Sequence, residues 1–199
     1  MEEYKQKTID SYNLNANKFS EKFRKLMDAK KRYEFQKFID MIPGKKMLDL
    51  GSGSGDNAYY FSQKRLDVTC IDLSKEMLNL SKNKGLKGVV MDIENLGFKK
   101  ESFEGIWAVT SLLHVPKIKM PKIANDIYQI LKDKGILYIS VKEGKGERFI
   151  EDGDNLKRYF CFWEKNEFKN VFEKSFDLIE FKRMSFGKSL FLEYFFQKR

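Results

Sequence analysis

The sequence predicts an α/β fold: a mostly parallel sheet with helices on both faces and an antiparallel hairpin at the C-terminal end. Three observations carry this. From residue 46 onward, short apolar runs alternate with segments of helical spacing. A glycine-rich turn, Gly51-Ser52-Gly53-Ser54-Gly55, directly follows the first such run. Two further strand-like runs near the end flank Ser185-Phe186-Gly187-Lys188. Alternation of strand and helix is the mark of a parallel sheet covered on both sides.

Each element has its own signal. In residues 1–42, Tyr12, Phe19 and Phe23 recur at helical spacing, and Phe35, Phe38, Ile39 and Ile42 form a second helical pattern. Pro43-Gly44 stops it. Residues 46–50 read as a buried strand, 57–65 as a helix and 67–72 as a second strand. Ser74 is placed to cap a helix running through Ser81. Residues 88–91 and 105–111 read as the third and fourth strands, with no clear crossover helix between them. Pro121 suits the first turn of a helix reaching Lys132. Residues 136–141 read as the fifth strand, and the polar stretch 143–154 as a mobile loop. Residues 164–174 read as a helix, and 176–183 and 189–196 as the strands of the hairpin. The many aromatics from Tyr159 to Phe196 are expected to fill the core and the sheet faces.

Composition bounds the rest. The chain has 199 residues, 42% hydrophobic and 34% charged, which is a globular balance. One domain over 1–199 is expected, with an N-terminal helical lid (1–42), a ligand-binding core (43–142) and a substrate-side remainder (143–199). The longest stretch without Asp, Glu, Lys or Arg is Gly105 to Pro116, short of the roughly 20 apolar residues of a membrane span. The start, MEEYKQKTID, has no apolar run of a secretory signal. Cys70 and Cys161 are far apart and have no metal-ligand spacing, so no metal is expected, and a reducing cytoplasm is the default. The net charge of +9 leaves nucleic acid open as a partner, although no Arg cluster is visible.

The chemistry concentrates at the glycine turn. In open parallel sheets, ligands bind beyond the carboxyl ends of strands, where the strand order reverses. The spacing is GxGxG, not the GxGxxG of a dinucleotide site, and Asp56 stands where the third glycine of that fingerprint would be. With Asp49 before the turn as well, a pyrophosphate fits poorly and a cationic group fits well. Asp72 ends the next strand, where a carboxylate accepts from ribose hydroxyls. Asp92 follows the third strand and can accept from an exocyclic amine, with Met91 or Ile93 against a purine ring.

These residues together resemble the class I S-adenosylmethionine-dependent methyltransferases. MLDLGSGSGDNAYYF is similar to their first motif, VTCIDLSKEML to the acidic motif after it, and VVMDIENL to the adenine-side motif. FEGIWAVTSLLHVPK and LKDKGILYISVKEG are similar to their fourth and fifth strands. The resemblance covers about residues 40–142 and implies a Rossmann-like seven-stranded sheet and S-adenosyl-L-methionine as cofactor. It implies Asp49 near the cofactor's amino group, and Gly51, Ser52 and Gly53 beneath its methionine part. It implies Asp72 on the ribose, Asp92 and Ile93 framing the adenine, and Ala108 and Thr110 near the sulfonium. Leu73 and Met77 are expected against the adenosine, although helix packing explains them equally. Tyr12 and Phe19 are expected in a lid over the cofactor.

The remaining candidates lie at the acceptor end. His114, the single histidine, falls just beyond the fourth strand. Its ordinary pKa of about 6.5 suits a general base, and a loop histidine bonded to backbone is the equal alternative. Arg148, Arg158 and Tyr159 are candidates for substrate contacts, with solvated loop residues as the favoured alternative; an Arg pair at the substrate would point to an anionic acceptor. The expected function is methyl transfer to a small molecule. An RNA (tRNA) methyltransferase and a non-catalytic cofactor-binding protein are the alternatives.

Overall fold

The computed structural model describes residues 1–28, 33–153 and 156–199. Three helices open the chain: α1 (Glu3–Leu14), α2 (Ala16–Asp28) and α3 (Tyr33–Met41). The alternating part follows as β1 (Lys46–Leu50), α4 (Asp56–Gln63), β2 (Asp67–Asp72), α5 (Lys75–Lys82), β3 (Lys87–Val90), β4 (Phe103–Val109), α6 (Met120–Ile130) and β5 (Leu131–Lys142). The chain ends with β6 (Glu147–Gly153), β7 (Leu156–Cys161), α7 (Lys165–Phe172), β8 (Phe176–Phe186) and β9 (Ser189–Lys198).

Seven strands form one sheet in the order β3-β2-β1-β4-β5-β9-β8. The strands from β3 through β5 pair in parallel, and β9 is antiparallel to both β5 and β8. The chain first winds outward from β1 to β3, then returns to lay β4 on the other side of β1. The strand order therefore reverses between β1 and β4, where α/β sheets open a ligand crevice.

Burial on both faces explains the apolar character of the central strands. In β5, Ile136 and Tyr138 face a cluster with Phe35, Phe38, Phe61 and Trp107. Leu137 and Ile139 face the opposite cluster with Ile123, Ile127, Phe172 and Phe196. Side chains alternate along a strand, so each face meets its own layer of helices. Ser74 caps α5, accepting from the Met77 backbone N–H at 3.2 Å.

Two expectations need correction. Residues 143–154 were expected as a mobile loop, but β6 pairs antiparallel with β7 in a separate two-stranded ribbon; residue 154 itself lies outside the described residues. The alternation Phe149, Glu151 against Ile150, Asp152 is half polar on both sides, so its pairing had no apolar stripe to announce it. The N-terminal segment contains three helices where two patterns were visible. Helix α1 buries Thr8 and Ser11, and buried hydroxyls leave no hydrophobic period. The crossover from β3 to β4, where no helix was evident in the sequence, contains none: residues 91–102 run as turns and irregular chain.

Candidate functional site

The glycine turn begins where β1 ends. Gly51, Gly53 and Gly55 adopt φ of 76°, 54° and 77°, the left-handed region that glycine enters at no steric cost. At Gly51 there is a second constraint. A Cβ there would lie 2.3 Å from Ser111 Cβ, so the turn and the end of β4 approach to backbone contact. Thr110, beside Ser111, also holds a positive φ of 54°, an uncommon conformation for a β-branched residue. The two strands flanking the switch point thus both end in tightly turned backbone.

Above this turn lies a cavity of about 500 Å³. Its floor is made by the ends of the parallel strands, and its roof by α1 and α2 through Tyr4, Lys5, Thr8, Tyr12 and Phe23. Asp72 organises the floor. Its Oδ2 accepts from the Gly53 backbone N–H at 2.9 Å and its Oδ1 from the Ser74 backbone N–H at 2.8 Å. Burial raises the Asp72 pKa, and these backbone bonds oppose the rise. One carboxylate thereby fixes the glycine turn to the start of α5.

Asp49 sits behind the turn, 1% exposed and off the cavity wall. Its Oδ2 has no hydrogen-bond partner among the described residues. Burial, then the charge of Asp72, pushes its pKa up to about 8. A buried acceptor held near its titration point is stabilised by a nearby cation, which is what an ammonium or sulfonium ligand would bring. Ala108 is likewise behind the wall, fully buried in the core, and its neighbours Val109 and Thr110 face the cavity.

At the β2–β3 side, Leu73, Met77, Met91, Asp92 and Ile93 line the cavity. Asp92 is already engaged: its Oδ1 accepts from the Glu94 backbone N–H at 2.9 Å and its Oδ2 from Lys5 Nζ at 2.8 Å. Lys5 also reaches Glu94 Oε2 at 2.8 Å. Burial opposes the Lys5 charge, but bonds to Asp92 and Glu94 outweigh it and raise its pKa. These ion pairs fasten α1 to the loop after β3.

His114 lies in the single-turn helix after β4, half-buried, with both ring nitrogens engaged. Nδ1 is 2.6 Å from the Tyr159 carbonyl oxygen, so this nitrogen carries the proton and donates. Nε2 is 2.9 Å from the Tyr12 hydroxyl and accepts a hydrogen bond from it. Arg158 Nη1 donates to the same hydroxyl at 2.9 Å. Burial, then the charge of Arg158, drives the His114 pKa down to about 3. The ring is neutral near pH 7, with its lone pair already taken.

The three residues expected at the acceptor end separate. Arg158 lines the cavity, and its guanidinium is paired with Asp152, Nη2 standing 2.7 Å from Oδ1. Arg148 does not reach the cavity: it is exposed, stacked 4.0 Å from the Phe162 ring centroid. The β6–β7 register puts Arg148 opposite Phe160 and Arg158 opposite Ile150, on one face of the ribbon but two residues apart, and only Arg158 lines the cavity, so the two form no clamp there. Tyr159 is buried with its ring against Tyr4 and Phe149, and only its carbonyl serves the site through His114. Phe19, expected in the lid, packs on Tyr12 with ring centroids 5.1 Å apart.

Sequence reasoning missed Ser140 and Lys142 of β5, and Phe191 and Glu193 of β9, all on the cavity wall. The i, i+2 spacing of Ser140 and Lys142 was a usable signal, since such residues share one face of a strand. The β9 residues had none, because their place depends on the antiparallel return of the chain.

The same architecture is found in characterised proteins. A family profile described as a methyltransferase domain matches residues 48–139. A phosphoethanolamine N-methyltransferase of Caenorhabditis elegans is 30% identical over 132 residues, which is 62% of this chain and 29% of that protein. A ubiquinone/menaquinone biosynthesis C-methyltransferase of Rickettsia prowazekii is 32% identical over 127 residues, 54% of this chain and 50% of that protein. The chain thus spans half or less of the length of these curated relatives. Among solved structures, the 1,6-didemethyltoxoflavin-N1-methyltransferase of Burkholderia thailandensis, crystallised with its acceptor and S-adenosylhomocysteine, superposes with a TM-score of 0.74 at 19% identity. That match covers 98% of this chain and 89% of the other. Residues 48–139 thus carry a methyltransferase domain, on the fold that S-adenosylmethionine-dependent methyltransferases share.

Proposed function

We infer that the protein transfers the methyl group of S-adenosyl-L-methionine to a small-molecule acceptor held in the 500 Å³ cavity. The observation that carries this reading is the buried Asp49 carboxylate, whose Oδ2 has no hydrogen-bond partner among the described residues, behind a glycine turn that Asp72 pins. A cationic, ribose-bearing ligand answers both groups. When bound, the cofactor supplies an activated methyl on its sulfonium, so the protein's task is to align and to exclude water.

The chain's residues divide that task. Asp49 offers a buried acceptor that a cation ionises on binding, toward the cofactor's amino group, with Gly51, Ser52 and Gly53 beneath the methionine part. Asp72 retains lone pairs for the ribose hydroxyls. Asp92 and Ile93 frame the adenine, and Leu73 and Met77 pack against the adenosine. Ala108, through the strand end it supports, and Thr110 bound the space around the sulfonium. Helices α1 and α2 act as a lid, with Tyr12 and Phe19 on its inner face and Lys5 as its latch.

For His114, the two roles left open by the sequence now differ in support. A neutral ring whose Nε2 already accepts the Tyr12 O–H hydrogen bond is a positioning residue, not a free base. It holds Tyr12 over the cavity. An acceptor acidic enough to ionise in water needs no base from the protein. The roof formed by α1 and α2 favours a small acceptor over a polynucleotide.

Calorimetric titration with S-adenosylmethionine, S-adenosylhomocysteine and NAD tests the cofactor assignment. Saturable binding of the first two, and none of NAD, is expected. No uptake of either sulfur compound by folded protein would refute it. Methyl transfer from labelled cofactor into a metabolite extract separates an enzyme from a non-catalytic binder.

A further inference from the structure

The cavity wall at the β5–β9 junction contains a cation that the reading above leaves without a role. Lys142 ends β5, half-buried, on the same face as Ser140. The register places Glu193 opposite Ser140 and Phe191 opposite Lys142. Lys142 Nζ lies 4.7 Å from the centroid of the Phe160 ring. Among the described residues, no carboxylate oxygen stands within 4.0 Å of it.

Two other cavity cations are compensated. Arg158 is matched by Asp152, and Lys5 by Asp92 and Glu94. The charges facing Lys142 are Arg158, Lys22 and Arg148, which repel it, and Asp152, whose attraction is already shared with Arg158. Glu193 stands diagonally across the strand pair, beyond ion-pair reach. Burial and then Arg158 lower the Lys142 pKa. An uncompensated, partly desolvated ammonium on a cavity wall favours an anion.

Strand order says which ligand that anion belongs to. Lys142 is on β5, the glycine turn follows β1, and β4 lies between them. Two inter-strand spacings separate Lys142 from the turn, about 10 Å. The ammonium is therefore on the acceptor side, beside the Phe160 ring and across the strand pair from Phe191. Aromatic faces around a lone cation suit a flat apolar body with one acid group.

We propose that the methyl acceptor is a small aromatic or similarly flat molecule bearing an ionised acid group, and that Lys142 binds that group. This rests on the methyltransferase reading and names its substrate class. Lys142 is a specificity residue here, and Arg158 serves the Tyr12–His114–Asp152 network instead.

The test uses the full chain, saturated with S-adenosylhomocysteine, in calorimetric titrations with benzoate, phenylacetate and cinnamate and with their amides, benzamide, phenylacetamide and cinnamamide. At least one acid should bind at least tenfold more tightly than its own amide. Lys142→Met should abolish that preference, Lys142→Arg should keep it, and S-adenosylhomocysteine affinity should stay within twofold in both. Four results overturn the proposal: no acid binds, acids and amides bind alike, Lys142→Met keeps the preference, or Lys142→Met weakens S-adenosylhomocysteine tenfold. The last would place Lys142 on the cofactor's own carboxylate. If Lys142→Met does not fold, Lys142→Gln takes its place, and the acid-over-amide ratio in the unsubstituted protein still decides the charge of the ligand. Failure of S-adenosylhomocysteine to bind the unsubstituted protein is a separate result, which removes the methyltransferase reading itself.

Discussion

The Tyr12 hydroxyl stands 2.9 Å from His114 Nε2 and takes a second bond of 2.9 Å from Arg158 Nη1. A residue of the first helix, one of the turn after β4 and one of β7 thus meet at a single oxygen. Tyr12→Phe removes that oxygen and leaves Nε2 without its donor. A stability loss of about 1 kcal/mol is expected in urea denaturation. His114→Ala should slow methyl transfer while S-adenosylhomocysteine affinity changes less than twofold. Unaltered turnover with an identified acceptor would show that the ring has no part in positioning.

The same ring sets a pH dependence. Its folded pKa, about 3, lies below the ordinary 6.5, so between these values the unfolded chain binds more protons than the folded one. The resulting stability is complete above pH 6.5 and is lost as pH falls toward 3. Denaturation midpoints at pH 4.5 and 7 should differ less in His114→Gln than in the unsubstituted protein. An identical difference in both would assign the acid sensitivity to other groups.

Asp49 works in the opposite direction. Its folded pKa, about 8, lies above the ordinary 3.8, so the folded state holds the extra proton, and its contribution falls as pH rises from about 4 to 8. Asp49→Asn should stabilise the ligand-free protein at pH 8 by about 1–3 kcal/mol. It should also flatten that part of the pH profile and weaken S-adenosylmethionine at least tenfold. Stabilisation with no loss of affinity would separate Asp49 from the cofactor's amino group.

Asp72 holds two backbone N–H groups with one carboxylate. Asp72→Ala releases both, and hydrogen bonds to a charged acceptor contribute about 1.5–3 kcal/mol each at most. A loss of roughly 2 kcal/mol in stability and at least tenfold in S-adenosylhomocysteine affinity is expected. Intact affinity would argue against its place on the ribose.

Lys5 joins α1 to Asp92 and Glu94, each at 2.8 Å. If α1 is a lid latched there, Lys5→Met should speed amide exchange across residues 3–14 about tenfold, with the sheet unchanged. Equal protection in both proteins would show that the apolar and hydroxyl contacts alone hold the helix down.

Much of this molecule is legible along the chain. The glycine turn, Asp72, Asp92 and Ile93 lie at strand ends, and alternation alone predicts that strand ends of a parallel sheet gather at one edge. Those residues do share one cavity. Arg148 and Arg158 show where such reasoning stops. Both were candidates by position, and pairing within the β6–β7 ribbon puts them on one face, yet Arg148 stacks exposed on Phe162 while Arg158 is held by Asp152 at the cavity. Ribbon pairing is a contact between segments, and no local period encodes its register when both faces are half polar.

The sequence by itself determined the parallel sheet, the turn beneath the cofactor site and the acids around it, because each depends on local periodicity and on glycine's access to positive φ. Only the tertiary structure decided the state of His114, the burial of Thr8 and Ser11, and the isolation of Lys142. These follow from which charges and donors distant segments bring within a few ångströms, and such distances exist only after the chain has closed on itself.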